Sequence, residues 1–467
     1  MRIIKVILLL FVMSLSSYGQ SNSAEFIKGV DVSALLEIED NGGVFKATGM
    51  QKDALQIFKE NGINYCRLRL WHTPTSAYNN LTKTLLLAKR IKEKGLKLML
   101  DFHYSDTWAD PGNQKKPLAW ENLPYEILKD SLYNYTKSVM TAFKNQNTVP
   151  SIVQIGNEII CGMLWNECRV CESYNTTSQW TKFSEILKEG IKAVKESTEA
   201  KDSVKIMIHI DRGGDNSSSR WFYDKLSSLK VDFDIIGLSY YPWWHGTLTN
   251  LKSNMDDLAS RYGKDIIVVE TAYPWTLGWN DNTNNIVGNT SQTHSGYPAT
   301  VDGQKKFLSD IIMQIGNTIN NKGAGLFYWA PDWISTKSLG SPWENLALFD
   351  FNGEVLNSIT AFGKPTNIDS PEVIADTFEL YQNYPNPFNP STRISYELNS
   401  ASYVVMKIYN SLGEVVKNYL PTFKDQGVHY LEWDGKDEFG NRLSSGVYIY
   451  TLLSGGYFQS RKMILLN

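Results

Sequence analysis

Short apolar runs alternate with longer amphipathic stretches between residues 26 and 362. The short runs are rich in β-branched residues and predict eight strands, at 26–32, 64–70, 96–103, 151–156, 204–210, 233–240, 265–270 and 324–329. The stretches between them have apolar residues at helical spacing and predict helices that include 51–61, 81–94, 125–145, 179–197, 247–262 and 302–321. Alternation of strands and helices implies parallel strands. The pattern predicts a (β/α)8 barrel rather than an open doubly wound sheet, also because no G-x-G-x-x-G follows the first strand.

The pattern changes after Phe362. Residues 365–378 contain Pro, Asn and Ser and are typical of a linker, whereas residues 379–467 have short alternating runs separated by Gly-containing turns. We therefore expect an α/β barrel domain at 21–364 and a small all-β sandwich domain at 379–467.

The first 20 residues have the pattern of a secretory signal peptide. Arg2 and Lys5 precede an apolar run from Val6 to Met13, and small polar residues follow it. The run is shorter than the roughly 20 residues that a membrane-spanning helix needs, and no Cys follows it as in a lipoprotein. These features predict an exported protein that is secreted or held at the cell surface.

The amino-acid composition limits the classes of molecule that the protein is expected to bind. Lys and Arg number 46 against 49 Asp and Glu, for a formal net charge of -3, so the chain lacks the basic character of a nucleic-acid-binding protein. Aromatic residues are abundant, with 14 Trp, 25 Tyr and 19 Phe. Their flat apolar faces suit sugar rings, although large aromatic cores would have the same composition.

Three of the four cysteines, Cys161, Cys168 and Cys171, lie close together. Export predicts a disulfide among these three, with the pairing left open, and Cys66 is expected to be a buried free thiol. Only one C-x2-C is present and no His is nearby, so the sequence does not predict a zinc site.

Polar and aromatic side chains follow the predicted strands, where a (β/α)8 barrel holds its chemistry. They are Asp31, Ser33, Arg67, Arg69, Asp101, His103, Asn157, Glu158, His209, Asp211, Tyr240, Tyr241, Glu270 and Trp329. Each could be an ordinary loop residue, and for His209 and Asp211 that interpretation is as good as a functional one.

Glu158 and Glu270 stand at the ends of the fourth and seventh predicted strands. Hydrolysis of a glycosidic bond needs one carboxylic acid and one carboxylate, and these two residues supply both. The alternative is a structural ion pair with Arg67 or Arg69. An Arg beside Glu270 would lower its pKa and keep it ionised, while Glu158 in apolar surroundings would hold its proton.

The motifs around these residues resemble glycoside hydrolase family 53, the arabinogalactan endo-β-1,4-galactanases of clan A. They are GVDVSALLEIEDNGGVF, RLRLWHTP, LDFHYSDTWADPGNQKKPLAW, GNEIICGMLW with VVET, TAYPWTLGWNDNTNNIVG, YPATVDGQKKFL and GLFYWAPDWI, and they span residues 26–363 in order. The resemblance implies that Glu158 is the acid/base, that Glu270 is the nucleophile and that Asn157 holds the sugar 2-hydroxyl. A retaining reaction predicts carboxyl groups about 5 to 5.5 Å apart.

The resemblance also implies roles for further side chains. Asp101, His103 and Asp106 would line the cleft, Tyr240 with Arg67 or Arg69 would orient Glu270, and Trp329 would form the floor of the −1 subsite. Other candidate sugar platforms, each of which could instead be core or loop packing, are Trp71, Trp108, Trp120, Trp165 and Trp333. No cofactor is expected. Some members of the family have calcium in the loop after the seventh strand, but here that loop offers Asp281 and several Asn without a cluster of carboxylates, so no metal site is predicted.

The C-terminal region carries YPNPFNP and LSSGVYIYTL and resembles the type A sorting domain of the type IX secretion system. A carbohydrate-binding module of similar size is the alternative. The resemblance implies that the outer-membrane secretion machinery is a partner of this domain.

Together these features predict a secreted, monomeric, retaining endo-β-1,4-galactanase that acts on the galactan or arabinogalactan side chains of pectin. One alternative is a clan A endo-glycanase that acts on another β-linked polysaccharide, such as mannan or glucan. A second is a polysaccharide-binding barrel without catalysis, against which the presence of both Glu158 and Glu270 argues.

Overall fold

The computed structural model describes residues 25–363, 378–399, 401–411, 413–454 and 457–466. These residues form two compact units, one before residue 367 and one after it. The predicted signal peptide at 1–20 and the predicted linker at 365–378, apart from its last residue, lie outside the described residues. None of the described helices is long and apolar enough to span a membrane.

The first unit is a closed barrel of eight parallel strands, which confirms the predicted (β/α)8 fold. In chain order the strands are β1 (Ile27–Asp31), β2 (Tyr65–Leu70), β3 (Lys97–Phe102), β4 (Ile152–Ile155), β5 (Lys205–Ile210), β6 (Ile235–Ser239), β7 (Asp265–Thr271) and β8 (Gly323–Trp329). Each strand pairs with its sequence neighbours, and β8 closes the barrel on β1 with Asp31 opposite Trp329.

Nine α-helices are found among the described residues of this unit. They are α1 (Leu35–Asp40), α2 (Ala54–Glu60), α3 (Leu81–Glu93), α4 (Tyr125–Asn145), α5 (Thr177–Ser197), α6 (Asn216–Ser228), α7 (Pro242–His245), α8 (Leu248–Tyr262) and α9 (Val301–Gly316). The helix α6 is not among the predicted elements, because three serines lie in its first turn. Asp215 starts it by accepting a hydrogen bond from the backbone N–H of Ser218.

Two apolar clusters stabilise the barrel. One lies inside it and consists of Ile27, Tyr65, Met99, Ile152, Met207, Ile235, Ile267, Val269 and Phe327. The other fills the space between the strands and the helices. The interior cluster draws on residues before the carboxyl ends of the strands, so the inward-facing positions at those ends are left for polar side chains.

Disulfide pairing in the barrel unit is settled by the structure. Cys161 is bonded to Cys171, as the sequence predicts in general terms. Cys66 and Cys168 are buried free thiols. The disulfide closes the loop that follows β4, directly after Glu158.

The second unit is a β-sandwich, as predicted. Its strands are β9 (Phe378–Leu380), β10 (Thr392–Leu398), β11 (Ser402–Tyr409), β12 (Val415–Lys424), β13 (Gly427–Trp433), β14 (Gly446–Ser454) and β15 (Tyr457–Leu465). They form an antiparallel sheet in the order β9-β10-β13 and a second one in the order β12-β11-β14-β15. Alternating residues of both sheets bury one core around Trp433 and Tyr450.

Candidate active site

The two glutamates stand at the mouth of the barrel, as expected for chemistry in this fold. Glu270 is part of β7 and is 6% exposed. Glu158 follows β4 and is partly exposed, with φ 49° and ψ 49° in the left-handed region. A non-glycine residue held there costs of order 1–3 kcal/mol and is found most often at functional sites.

Glu270 is held by one charged and one neutral partner. Its Oε1 lies 2.9 Å from a terminal nitrogen of Arg67, and its Oε2 accepts a hydrogen bond of 3.1 Å from the Tyr241 hydroxyl. Burial raises the pKa of Glu270 to about 7, and Arg67 and Tyr241 oppose that rise. The predicted lowering by Arg67 is therefore present, but desolvation outweighs it.

Arg67 is almost fully buried and binds three carboxylates at once. Besides Glu270 it contacts Asp31 and Asp101, each at 2.8 Å. It also donates a hydrogen bond of 2.9 Å to Oδ1 of Asn157. A guanidinium has five donors in a fixed plane, so it fixes the positions of four neighbouring side chains at the base of the site.

Glu158 has no cationic partner among the described residues. Its Oε1 accepts a hydrogen bond of 2.6 Å from Ser239. Burial, Glu270 and Asp211 raise the pKa of Glu158 well above its usual value. The two glutamates thus differ in their surroundings, because Arg67 opposes the rise in the pKa of Glu270 and no guanidinium opposes it at Glu158.

The two carboxyl groups lie near enough for the charge of Glu270 to raise the pKa of Glu158. Ser239, which holds Glu158, lies opposite Glu270 in the ladder between β6 and β7. Adjacent strands are about 4.8 Å apart. The site therefore brings together two carboxyl groups in different electrostatic environments, and glycoside hydrolysis requires a pair of carboxyl groups.

Comparison with known proteins agrees with this geometry. Residues 27–362 match the family model of Glycosyl hydrolase family 53. The chain belongs to glycosyl hydrolase family 53. It is 33% identical over 382 residues to an endo-β-1,4-galactanase of Bacillus subtilis (strain 168), a match that covers 72% of this chain and 85% of that protein.

Solved structures with the same fold extend the comparison. The family 53 catalytic domain of Ignisphaera aggregans is 38% identical with a TM-score of 0.68, over 73% of this chain and 96% of that one. A structure from a study of two fungal β-1,4-galactanases is 34% identical with a TM-score of 0.64. The match covers 73% of this chain and 99% of that one. Residues 386–454 match the FlgD Ig-like domain model.

The predicted role of Tyr240 is wrong. Tyr240 does not orient Glu270, because it is fully buried and its hydroxyl donates to the carbonyl oxygen of Gly246 at 2.7 Å. Tyr241 is the residue that contacts Glu270. Side chains alternate in direction along an extended backbone, so Ser239 and Tyr241 point into the barrel mouth while Tyr240 points away.

Asp101, His103 and Asp106 are expected to line the cleft, and the structure gives most of their polar atoms partners within the protein. Asp101 is fully buried and binds Arg67 and Nε2 of His103, the latter at 3.0 Å. Nδ1 of His103 accepts from the backbone of Ala109, and burial lowers the pKa of this His, which is therefore neutral. Asp101 and His103 are therefore connected to Glu270 through Arg67.

Asp106 closes a loop in the same region. Its two oxygens accept hydrogen bonds of 2.8 Å from the backbone N–H groups of Thr73 and Leu118. Asn157 is 5% exposed, and its Nδ2 donates to the carbonyl oxygen of Ala109 at 2.8 Å. Among the described residues, this nitrogen has no second acceptor.

Arg69, the second predicted partner of Glu270, has a different position. Its guanidinium lies 3.9 Å from the ring centre of Trp108 and 5.2 Å from that of Trp71. Trp108 is 36% exposed, so the buried Arg69 supports an exposed aromatic face. Arg67, and not Arg69, orients Glu270.

Aromatic rings line the side of the mouth near β8. Trp329 is partly exposed, and its ring centre is 6.0 Å from that of Trp108, 5.8 Å from that of Trp333 and 4.5 Å from that of Trp343. Trp71 and Trp120 are buried and belong to the core, whereas Trp165 is partly exposed beside the disulfide loop. Trp108, Trp333 and Trp165 are, like Trp329, at least partly exposed.

The acidic residues at the loop after β7 contact backbone groups. Both oxygens of Asp281 accept from backbone N–H groups, those of Thr283 and Ser341. One oxygen of Glu344 accepts from the backbone of Asn280 in the same way. The part of the chain that the structure describes contains no group of three or more His, Cys, Asp or Glu arranged to hold a metal ion.

Sequence reasoning missed Ser239 altogether. This residue ends a buried strand and is preceded by glycine and leucine, so only its position next to two tyrosines marks it. Asp211, for which the sequence leaves the role open, is buried and bonded to Arg212, and burial raises its pKa to about 6.

Proposed function

We propose that this protein is a retaining endo-β-1,4-galactanase that hydrolyses the galactan or arabinogalactan side chains of pectin to galactooligosaccharides. The observation that carries the proposal is the pair of glutamates at the barrel mouth, with Arg67 on Glu270 and only neutral donors on Glu158. The galactanases among its family relatives support the choice of galactan.

In the first step, the Glu270 carboxylate attacks the anomeric carbon of the sugar in the −1 subsite. The bond between that carbon and the glycosidic oxygen breaks, and Glu158 transfers its proton to the departing oxygen. A glycosyl ester of Glu270 results. Arg67 and Tyr241 leave the nucleophile ionised and fix its direction.

In the second step, Glu158 is a carboxylate and takes a proton from water. The water oxygen forms a bond to the anomeric carbon as the ester bond to Glu270 breaks. The second inversion restores the original β configuration, and both glutamates return to their starting states.

A polysaccharide panel tests the substrate. We expect the full-length enzyme to release short oligosaccharides from linear β-1,4-galactan, and the variant Glu270→Gln to release none. Products are separated by size at early and late times, since an endo-acting enzyme gives intermediate lengths first. Release from β-mannan or β-glucan but not from galactan would contradict the substrate while leaving the mechanism intact.

We also propose that the protein is exported, first by its N-terminal segment and then across the outer membrane by residues 379–467. The support for this is the apolar segment after Arg2 and Lys5 together with the YPNPFNP and LSSGVYIYTL motifs of the sorting-domain resemblance. The alternative for the second unit is a carbohydrate-binding module.

A fusion of residues 365–467 to a periplasmic reporter, expressed in a bacterium that has type IX secretion, distinguishes these roles. Export of the reporter to the medium or cell surface supports sorting. A reporter that stays in the periplasm but binds polysaccharide would overturn it.

A further inference from the structure

His209 and Ser239, which have no part in the catalytic steps above, form a chain of hydrogen bonds that ends at Glu158. His209 is on β5 and is fully buried, and Ser239 ends β6. Nε2 of His209 lies 2.9 Å from the Ser239 hydroxyl, which itself lies 2.6 Å from Oε1 of Glu158. The imidazole therefore reaches the acid/base carboxyl through one hydroxyl group.

The surroundings of Nδ1 determine the direction of these hydrogen bonds. The backbone N–H of Glu158 lies 3.4 Å from Nδ1 and can only donate to it. The amide nitrogen of Gln154 lies 3.0 Å from Nδ1, but its two hydrogens also have Oδ1 of Asn157 and the carbonyl oxygen of Gly156 as acceptors, at 3.0 and 3.1 Å. Oδ1 of Asn157 is 3.1 Å away, but it already accepts from Arg67 at 2.9 Å and from Gln154 at 3.0 Å. An amide oxygen has two lone pairs, so Nδ1 is left to accept and the single proton of a neutral His209 is on Nε2.

We propose that His209 and Ser239 are positioning residues for Glu158, such that the Nε2–H of His209 turns the Ser239 hydroxyl towards Oε1 and leaves the acid proton on Oε2. The inference rests on the proposed function of Glu158 as acid/base.

The three hydrogen bonds form a ring that begins and ends at Glu158. The backbone N–H of Glu158 donates to Nδ1, Nε2–H donates to Ser239, and Ser239 donates to the carboxyl group of Glu158. No hydrogen bond from the described residues reaches Oε2, which is free to face the glycosidic oxygen. The left-handed backbone of Glu158 is what turns its N–H and its side chain towards the same imidazole.

Burial keeps the imidazole neutral, because it lowers the pKa of His209 well below its usual value. His209 therefore orients Ser239 without adding a positive charge, which would favour the loss of the Glu158 proton. The titratable groups that face Glu158 from the other elements are Glu270 on β7, Asp211 after β5, Asp110 in the loop after β3 and Tyr241 after β6.

The variant Ser239→Ala removes the donor to Oε1 and keeps the fold, since Ala is smaller and apolar. Ser239 donates to the ionised form of Glu158, so its loss raises the pKa of Glu158 and moves the alkaline limb of the kcat/KM profile to higher pH by about one unit. On galactan we expect kcat to fall by about tenfold or more, because the acid proton is no longer confined to one oxygen. The variant Ser239→Thr keeps the hydroxyl and should recover both quantities.

A substrate that needs no acid separates positioning from general damage. With a 2,4-dinitrophenyl β-galactobioside, whose leaving group departs without protonation, glycosylation by Ser239→Ala should match that of the parent. An alkaline limb that stays in place, or equal losses on both substrates, would overturn the proposal.

The tautomer is tested directly by nitrogen-15 NMR of the histidine-labelled enzyme, with the His209 signals assigned by their loss in His209→Gln. Protonated Nε2 and unprotonated Nδ1 support the proposal, and the reverse would overturn it. If the parent enzyme released nothing from galactan, the proposed function would fail, whereas the NMR assignment would still decide the tautomer.

Discussion

At the scale of single residues, the site depends on how one guanidinium is shared. Arg67 serves Asp31, Asp101 and Glu270, and burial still raises the pKa of Glu270 to about 7. A nucleophile must be ionised, so activity should decline as the pH falls through this value. The stability of the fold depends on pH in the opposite sense. A carboxyl pKa that is raised in the folded state increases the free energy of unfolding at low pH, and this contribution is lost as the pH rises through the pKa of the folded state.

Tyr241→Phe tests this balance. The Tyr241 hydroxyl donates to the ionised form of Glu270, so its removal should raise the pKa of Glu270 and move the acid limb of kcat/KM upward by about one unit. Tyr240→Phe is the matched control, since it removes a neighbouring buried hydroxyl that bonds only to Gly246 among the described residues. Equal shifts in the two variants would contradict the assignment.

Glu158→Ala tests the acid/base. General acid catalysis contributes about 10²–10⁴-fold, so kcat on galactan should fall by that factor. Added azide should restore turnover of an activated aryl galactoside, because the anion attacks the glycosyl ester without base catalysis. A variant that retained activity on galactan would exclude Glu158 from this role.

Residue identities at strand ends could be predicted from the sequence, but their directions could not. Glu158 and Glu270 are identifiable because a glutamate after an apolar strand is costly to bury unless it has a partner or a catalytic role. Tyr240 and Tyr241 are adjacent and chemically identical, and only the position at which β6 ends decides which of them faces Glu270. Ser239 escaped prediction because a serine carries no charge that would need a partner.

At the scale of elements, the loop after β4 is held by a disulfide. Cys161 and Cys171 are separated by 10 residues, and Trp165 within this loop donates from Nε1 to the carbonyl oxygen of Cys161. The ring of Trp165 lies against Arg169 at 4.4 Å. The disulfide thus holds Trp165 in the loop that follows Glu158.

Cys161→Ser with Cys171→Ser should lower the free energy of unfolding by ~2 to 3 kcal/mol, the loop-closure entropy of a loop of this length. Denaturant unfolding with and without reductant measures the effect. The parent should lose stability on reduction and the double variant should not. If reductant destabilised both equally, Cys161 and Cys171 would not be the bonded pair in the protein.

The strands followed closely from periodicity because the strands of a barrel are buried on both faces. The helix predicted at 302–321 ends at Gly316, and a separate 3-10 turn follows at Ile319–Asn321. The eight predicted strands agree with the structure to within one or two residues at each end. The helix α6 escaped prediction because its first turn is rich in serine, and tertiary packing of Phe222, Tyr223 and Leu226 stabilises it. Low helix propensity was overridden by burial.

At the scale of the whole molecule, every residue assigned to catalysis lies in the first unit. The solved family 53 catalytic domain of Ignisphaera aggregans matches 73% of the chain. We therefore expect a truncated protein, residues 21–364, to keep the kcat/KM of the full chain on soluble galactan. A truncated protein that folds, as judged by circular dichroism, but has lost activity would place part of the site in residues 379–467.

The stereochemistry of hydrolysis is the most direct test of the central claim, that Glu270 attacks while Glu158 donates the proton. Proton NMR of linear β-1,4-galactan in D₂O, recorded within the first minutes of reaction, shows the anomer that forms before mutarotation. The two-step mechanism predicts that the new reducing ends are first β and only later α. New reducing ends that are first α would mean a single displacement by water and would contradict the assignment of Glu270 as nucleophile.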